Sequence, residues 1–114
     1  MGTTGTGNLG DYRGGKPEGD RCERAFSADL EEVGRCAYFA GHGDLPPVGA
    51  AVRVVASKRM TVISGDAEEE IGFLPTEYNY LRQCIREGHS YSGVVQSSSL
   101  RPIPRVIVDI APTS

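Results

Sequence analysis

Residues 71–95, IGFLPTEYNYLRQCIREGHSYSGVV, restrict the fold of this chain more than any other stretch. An apolar run, Ile71-Gly72-Phe73-Leu74, stops at Pro75, which has no N–H to give a sheet. Thr76 is a residue type that caps helix starts. Tyr78, Leu81, Cys84 and Ile85 then recur at the spacing of one helix face. Gly88 is placed to end that helix, and 91–95 resumes an extended pattern. Strand, helix and strand therefore follow one another with their boundary residues in place.

The flanking sequence reads as further strands. Residues 50–56, AAVRVVA, are rich in β-branched side chains. Ser57-Lys58-Arg59 makes a tight turn to a partner strand over 60–64, and an acidic turn over 65–69 leads to a strand over 70–74. A strand over 90–97 contains Gly93, and 97–104 is an irregular link with two prolines. In 105–110, RVIVDI, the residues Val106, Val108 and Ile110 share one face. Upstream, Phe26, Ala28 and Leu30 alternate with polar residues as in a half-buried strand. A bulge near 32–34 and continuation through Cys36, Tyr38 and Phe39 are expected, although Leu30, Val33 and Ala37 also fit a short helix over 28–38. Residues 41–49, with Gly41-His42-Gly43-Asp44 and Pro46-Pro47, read as a loop. The expectation is an α+β, mainly β domain: a small barrel-like or curled antiparallel sheet of five to six strands with one packed helix over 76–87.

With 114 residues the chain has room for one modest core. Only 39% of it is hydrophobic, partly because many of its 15 glycines lie before Asp20. Residues 1–20 carry too few apolar groups to offset ordering entropy, and are expected to form a disordered Gly-rich tail ahead of a single domain over 21–114. Such a tail is either a solubilising leader or an arm that orders on a partner, with Leu9 and Tyr12 as anchors. The net charge is −3. Residues 1–50 hold eight acids and five bases, and 51–114 hold seven of each, so no bulk attraction to nucleic acid exists and only a local basic patch is open. Cys22, Cys36 and Cys84 form an odd, unclustered set, which argues against a disulfide framework. The first residues lack the apolar centre of a secretory signal, and no apolar run approaches the ~20 residues of a membrane span. A reducing, cytoplasmic setting without a membrane partner is expected.

The usual catalytic and metal patterns are missing. Cys22, Cys36, His42, Cys84 and His89 are ligand types, but their spacings do not resemble a C-x2-C zinc knuckle. Cys84 with His89, or Ser97–Ser99 with His42, lacks the third group that orients a base. Glu68-Glu69-Glu70 reads as a solvated turn that guards a sheet edge, and the early glycines precede no Lys-Ser/Thr pair. The expectation is a binding module, not an enzyme, with no cofactor and no metal.

One group of residues stands out as a binding surface. Tyr78, Tyr80, Arg82, Arg86, His89 and Tyr91 lie in or just after the helix, and Lys58 and Arg59 lie in the hairpin turn. Tyr78, Arg82 and Arg86 are each four apart and would share a helix stripe. Tyrosine beside arginine is suited to stacking bases and holding phosphates. The alternative places Tyr78 in the core and pairs the arginines with Glu77 and Glu87. The partner is then either single-stranded nucleic acid or a protein docking on the sheet edge or helix face.

The order of these features resembles the HIRAN domain. A Val-rich strand, a turn, a second strand, Gly72-Phe73-Leu74-Pro75 entering a helix, Gly88, and then Gly93-Val94-Val95 follow that family's pattern over about 29–110. Where the family has an Asn-Pro-x-Asp-x-x-Ala segment, this chain has Ser57-Lys58-Arg59-Met60-Thr61. The resemblance implies a small β-barrel whose pocket grips a single-stranded DNA end by aromatic stacking and polar contacts.

Overall fold

The structure, a computed structural model, describes residues 21–113; the tail expected over 1–20 lies outside the described residues. Six strands form one antiparallel sheet: β1 (Phe26–Asp29), β2 (Ala51–Ala56), β3 (Met60–Ser64), β4 (Glu70–Phe73), β5 (Tyr91–Ser99) and β6 (Arg105–Pro112). Their order across the sheet is β1-β6-β5-β2-β3-β4. Two short helices, α1 (Ala37–His42) and α2 (Leu81–Arg86), accompany it, with 3-10 turns at Val33–Arg35 and Thr76–Tyr78. The fold is α+β and mainly β, as the sequence pattern implies.

The sheet curls because its strands are kinked at set points. Register shifts fall between Val62 and Ile63 in β3 and between Val95 and Ser97 in β5, each adding bend and twist. The curl brings the two sheet edges together. Just past β1, the Glu31 N–H donates to the Phe73 carbonyl of β4 at 2.7 Å, and the Phe73 N–H returns to Glu31 at 3.0 Å. The open sheet is thereby bridged into a barrel-like wall.

Inside the wall the alternating residues meet. Ala28, Val52, Val54, Met60, Val62, Ile71, Tyr91, Val95, Val106, Val108 and Ile110 are all buried in one cluster. Leu74, Leu81 and Cys84 join it from the helical side, so α2 packs its apolar face on the barrel. Gly93 sits between two strands, opposite Val52 on β2 and Ile110 on β6. A Cβ there would lie 1.7 Å from the Asp109 carbonyl oxygen, so this crossing needs a residue without a side chain.

Several local expectations change. Residues 31–42 are not a bulged strand: Glu32 adopts a left-handed φ of 58°, a 3-10 turn follows, and α1 occupies Ala37–His42. Leu30 and Val33 are buried and seal the barrel instead of continuing β1. The helix expected over 76–87 is divided, because Thr76–Tyr78 winds as a 3-10 turn before α2 begins at Leu81. Thr76 makes no side-chain cap; Pro75 holds the cap position and its carbonyl accepts the Tyr78 N–H.

Two substitutions test this packing in urea denaturation. Leu81, fully buried, should cost about 2–5 kcal/mol as Leu81→Ala. Gly93→Ala should cost about 3 kcal/mol, because strand backbone must move to admit one methyl group. Unchanged midpoints would show that the helix is not docked and that the β5–β6 crossing is loose.

Candidate functional site

The surface where α2 meets the β2–β3 turn carries the features of a binding face. A tight turn leaves carbonyls without sheet partners, and the Arg82 guanidinium supplies one. It donates to the Ser57 carbonyl at 2.7 Å and the Lys58 carbonyl at 3.2 Å. Helix and hairpin are tied together, which brings Lys58 beside Arg82. The Lys58 side chain is exposed and has no hydrogen bond or ion pair among the described residues. Arg86, one turn along α2, is also exposed and bonds only the Gln83 amide oxygen, at 3.3 Å. Tyr80, just before α2, carries the Arg21 guanidinium over its ring at 4.4 Å. Arg21, Lys58, Arg82 and Arg86 form no ion pair among the described residues, whereas Arg53, Arg59 and Arg105 each meet a carboxylate.

The remaining predicted residues divide differently. Arg59 is engaged elsewhere: it pairs with Glu31 at 2.6 Å and Glu32 at 3.5 Å, donates to the Leu74 carbonyl, and lies over the Phe73 ring. Its charge is already matched. Tyr78 does not share a stripe with Arg82 and Arg86, because the 3-10 turn breaks the helical phase. It stacks on Phe26 at 4.5 Å and donates to the Ser27 carbonyl, fastening the turn to β1. Tyr91 is 2% exposed and cannot face a partner; its phenol donates to the Cys22 carbonyl. The value of Arg21 was not legible in the sequence, since nothing local announces that it will meet Tyr80.

The cysteines correct a second expectation. Cys22 and Cys84 form a disulfide across 62 residues, with Cα atoms 5.5 Å apart. Spacing along the chain could not show this, because the pair meets only when the segment before β1 lies against α2. A disulfide also removes the cysteine argument for a reducing compartment. No helix among the described residues is long and apolar enough to cross a membrane. Beyond α2 the chain turns through Gly88, at φ 108°, and the His89 N–H donates back to the Cys84 carbonyl at 3.0 Å. This is a Schellman closure, and it places His89 beside the disulfide. Cys36 remains a free, buried thiol. Burial first, then the Glu70 and Glu32 carboxylates, push its pKa up, so it stays protonated and unreactive.

Two grooves lie elsewhere. One, of about 250 Å³, is lined by Tyr38, His42, Pro46, Pro47, Ile71 and Glu69. There His42 stacks on Tyr38 at 4.2 Å and bonds Glu69 at 2.7 Å, so it is occupied by that pair and not by a serine. The other, of about 320 Å³, runs over Phe26, Ser27, Gly93 and Asp109 where Gly93 leaves the sheet bare. No family model, curated protein or solved structure matches this chain.

The titrating groups predict an alkaline limit to stability. Burial raises the Tyr91 and Tyr78 phenols and the Cys36 thiol above their ordinary values. Unfolded, they would lose their protons first as pH climbs, near about 8.5 for Cys and about 10 for Tyr. Their contribution is therefore complete below about pH 8.5 and declines as pH rises through the folded values. Urea midpoints should fall between about pH 9 and 11, and Tyr91→Phe should flatten part of that fall. A midpoint that stays constant over this range would contradict the burial of these groups.

Proposed function

We propose that this protein is a non-catalytic binding module that holds single-stranded nucleic acid on the face shared by α2 and the β2–β3 turn. The observation that carries the reading is the grouping of Lys58, Arg82 and Arg86, which meet no carboxylate among the described residues, on α2 and the turn that Arg82 holds; Tyr80, just before α2, lies under the Arg21 guanidinium. Cations that already meet carboxylates gain little from a phosphate. Those that do not can exchange water and counterions for one. Tyr80 with Arg21 offers a ring and a planar guanidinium on which a base can stack. The attraction is local, because residues 51–114 hold equal numbers of acids and bases. Binding is therefore weak and salt-sensitive. The resemblance of about 29–110 to HIRAN domains supports the same reading.

A second reading rests on different residues. Leu100 and Ile103, in the link between β5 and β6, are 45% and 66% exposed. Exposed apolar side chains at the tip of a hairpin suit a protein partner.

Fluorescence polarisation with short labelled DNA and RNA strands separates the two. The protein should bind with micromolar affinity at low salt. Lys58→Ala with Arg86→Ala, both exposed sites, should weaken binding and reduce the slope of log K against log salt by about 1.4, two phosphate contacts on a single strand. No polarisation change with any strand at low salt would remove the nucleic-acid reading. Binding that survives the double substitution with an unchanged slope would move the site off this face.

A further inference from the structure

We propose that Cys22 and Cys84, once reduced, bind a zinc ion together with His89 and Glu87, forming a structural metal site that replaces the disulfide. The donors already converge. Three of them, the Cys22 sulfur, a Glu87 carboxylate oxygen and a His89 ring nitrogen, lie within 4.8 Å of one another, and the Cys84 sulfur, outside that group, is bonded to that of Cys22. Tetrahedral zinc, with bonds of about 2.3 Å to sulfur and about 2.0 Å to nitrogen, spaces its donors about 3.3–3.8 Å apart. Once the sulfur–sulfur bond is broken, rotation of the Cys84 side chain toward Glu87 and His89 completes the set. Two thiolates, an imidazole and a carboxylate are a set that favours zinc over the hard cations.

The backbone around these donors is fixed for reasons unrelated to sulfur oxidation. The Gly88 turn and the bond from His89 N–H to the Cys84 carbonyl set the imidazole over the helix end. The Tyr91 phenol holds the Cys22 carbonyl from within the core. Breaking the sulfur–sulfur bond leaves both constraints in place. The His89 side chain makes no hydrogen bond among the described residues and only approaches the Tyr91 ring, at 6.4 Å between centroids. A disulfide alone gives that imidazole nothing to do. Cys22 and Cys84 are 6% and 2% exposed, while Glu87 is exposed and His89 half-buried, so an ion can enter from the solvent side.

The exchange balances. A dithiol reductant delivers two electrons and two protons to the sulfur–sulfur bond, is itself oxidised to a disulfide, and leaves two thiols. Zinc then displaces both thiol protons to solvent and takes the neutral imidazole nitrogen and the ionised carboxylate.

The test uses the full chain, reduced with a phosphine, freed of metal and titrated with Co²⁺ under anaerobic conditions. The expected result is one equivalent bound, with a thiolate-to-cobalt charge-transfer band and strong tetrahedral bands in the visible, all lost when Zn²⁺ is added. His89→Ala should weaken metal binding by about a hundredfold, one ligand's share of a structural zinc site. Cys84→Ser should remove most of the charge-transfer intensity, and Cys36→Ser should change nothing. Reduced protein that shows no tetrahedral cobalt spectrum would overturn the proposal. So would a spectrum that survives His89→Ala at full affinity, one that disappears with Cys36→Ser, or equal binding by the oxidised protein.

Discussion

The barrel depends on a seam one residue pair wide. Glu31 and Phe73 exchange two backbone hydrogen bonds, and nothing else among the named strand pairings joins the two sheet edges. Those bonds are worth only about 0.5–1.5 kcal/mol each. Their importance lies in what they close over: Leu30, Val33, Ile71 and Leu74 are buried directly behind them. Arg59 reinforces the seam from outside, binding the Glu31 carboxylate, the Leu74 carbonyl and the face of Phe73 at once. The ion pair is partly exposed and contributes only about 0.2–1 kcal/mol through charge alone. As a clasp it does more, since one side chain holds the segments on both sides of the closure. This accounts for why a turn residue that looks like a phosphate ligand is already engaged.

Closure also sets the place of α2. With the sheet curled, Leu81 and Cys84 fill the core from one side, and the opposite side of the helix is left to Arg82 and Arg86. Arg82 then binds the β2–β3 turn, so the proposed binding face is a by-product of the contact that docks helix on barrel. The same docking brings the helix end to Cys22. One packing decision thus builds both the cationic face and the cysteine–histidine corner, on two sides of a helix only six residues long.

Much of the fold was legible because its signals are local. The β2–β3 hairpin, the arrest at Pro75, the Gly88 stop and the alternating β6 are each written within a few neighbouring residues. Residues 31–42 depart from the strand their alternation suggests because Leu30 and Val33 are buried by the seam, which no short-range pattern encodes. The site was less legible still. Arg59 and Arg82 both bind carbonyls far along the chain, Tyr91 points inward where its ring looked available, and Cys22 finds Cys84 only in three dimensions. Residue type announced a cationic, aromatic surface; which of its members are free is decided by tertiary hydrogen bonds.

The pairing of β1 with β6 bears on how the chain comes to be made. Phe26 lies opposite Ile110, and Asp29 opposite Ile107, so the first described strand takes its sheet partner from the last. During synthesis at about 5–20 residues per second, β1 leaves the ribosome with no strand to join until β6 has followed. The hairpin of β2 and β3 can form meanwhile, whereas the wall cannot close. For those seconds Ala28 and Leu30 stay in water, and the newborn chain is most exposed to chaperones and to neighbouring copies of itself.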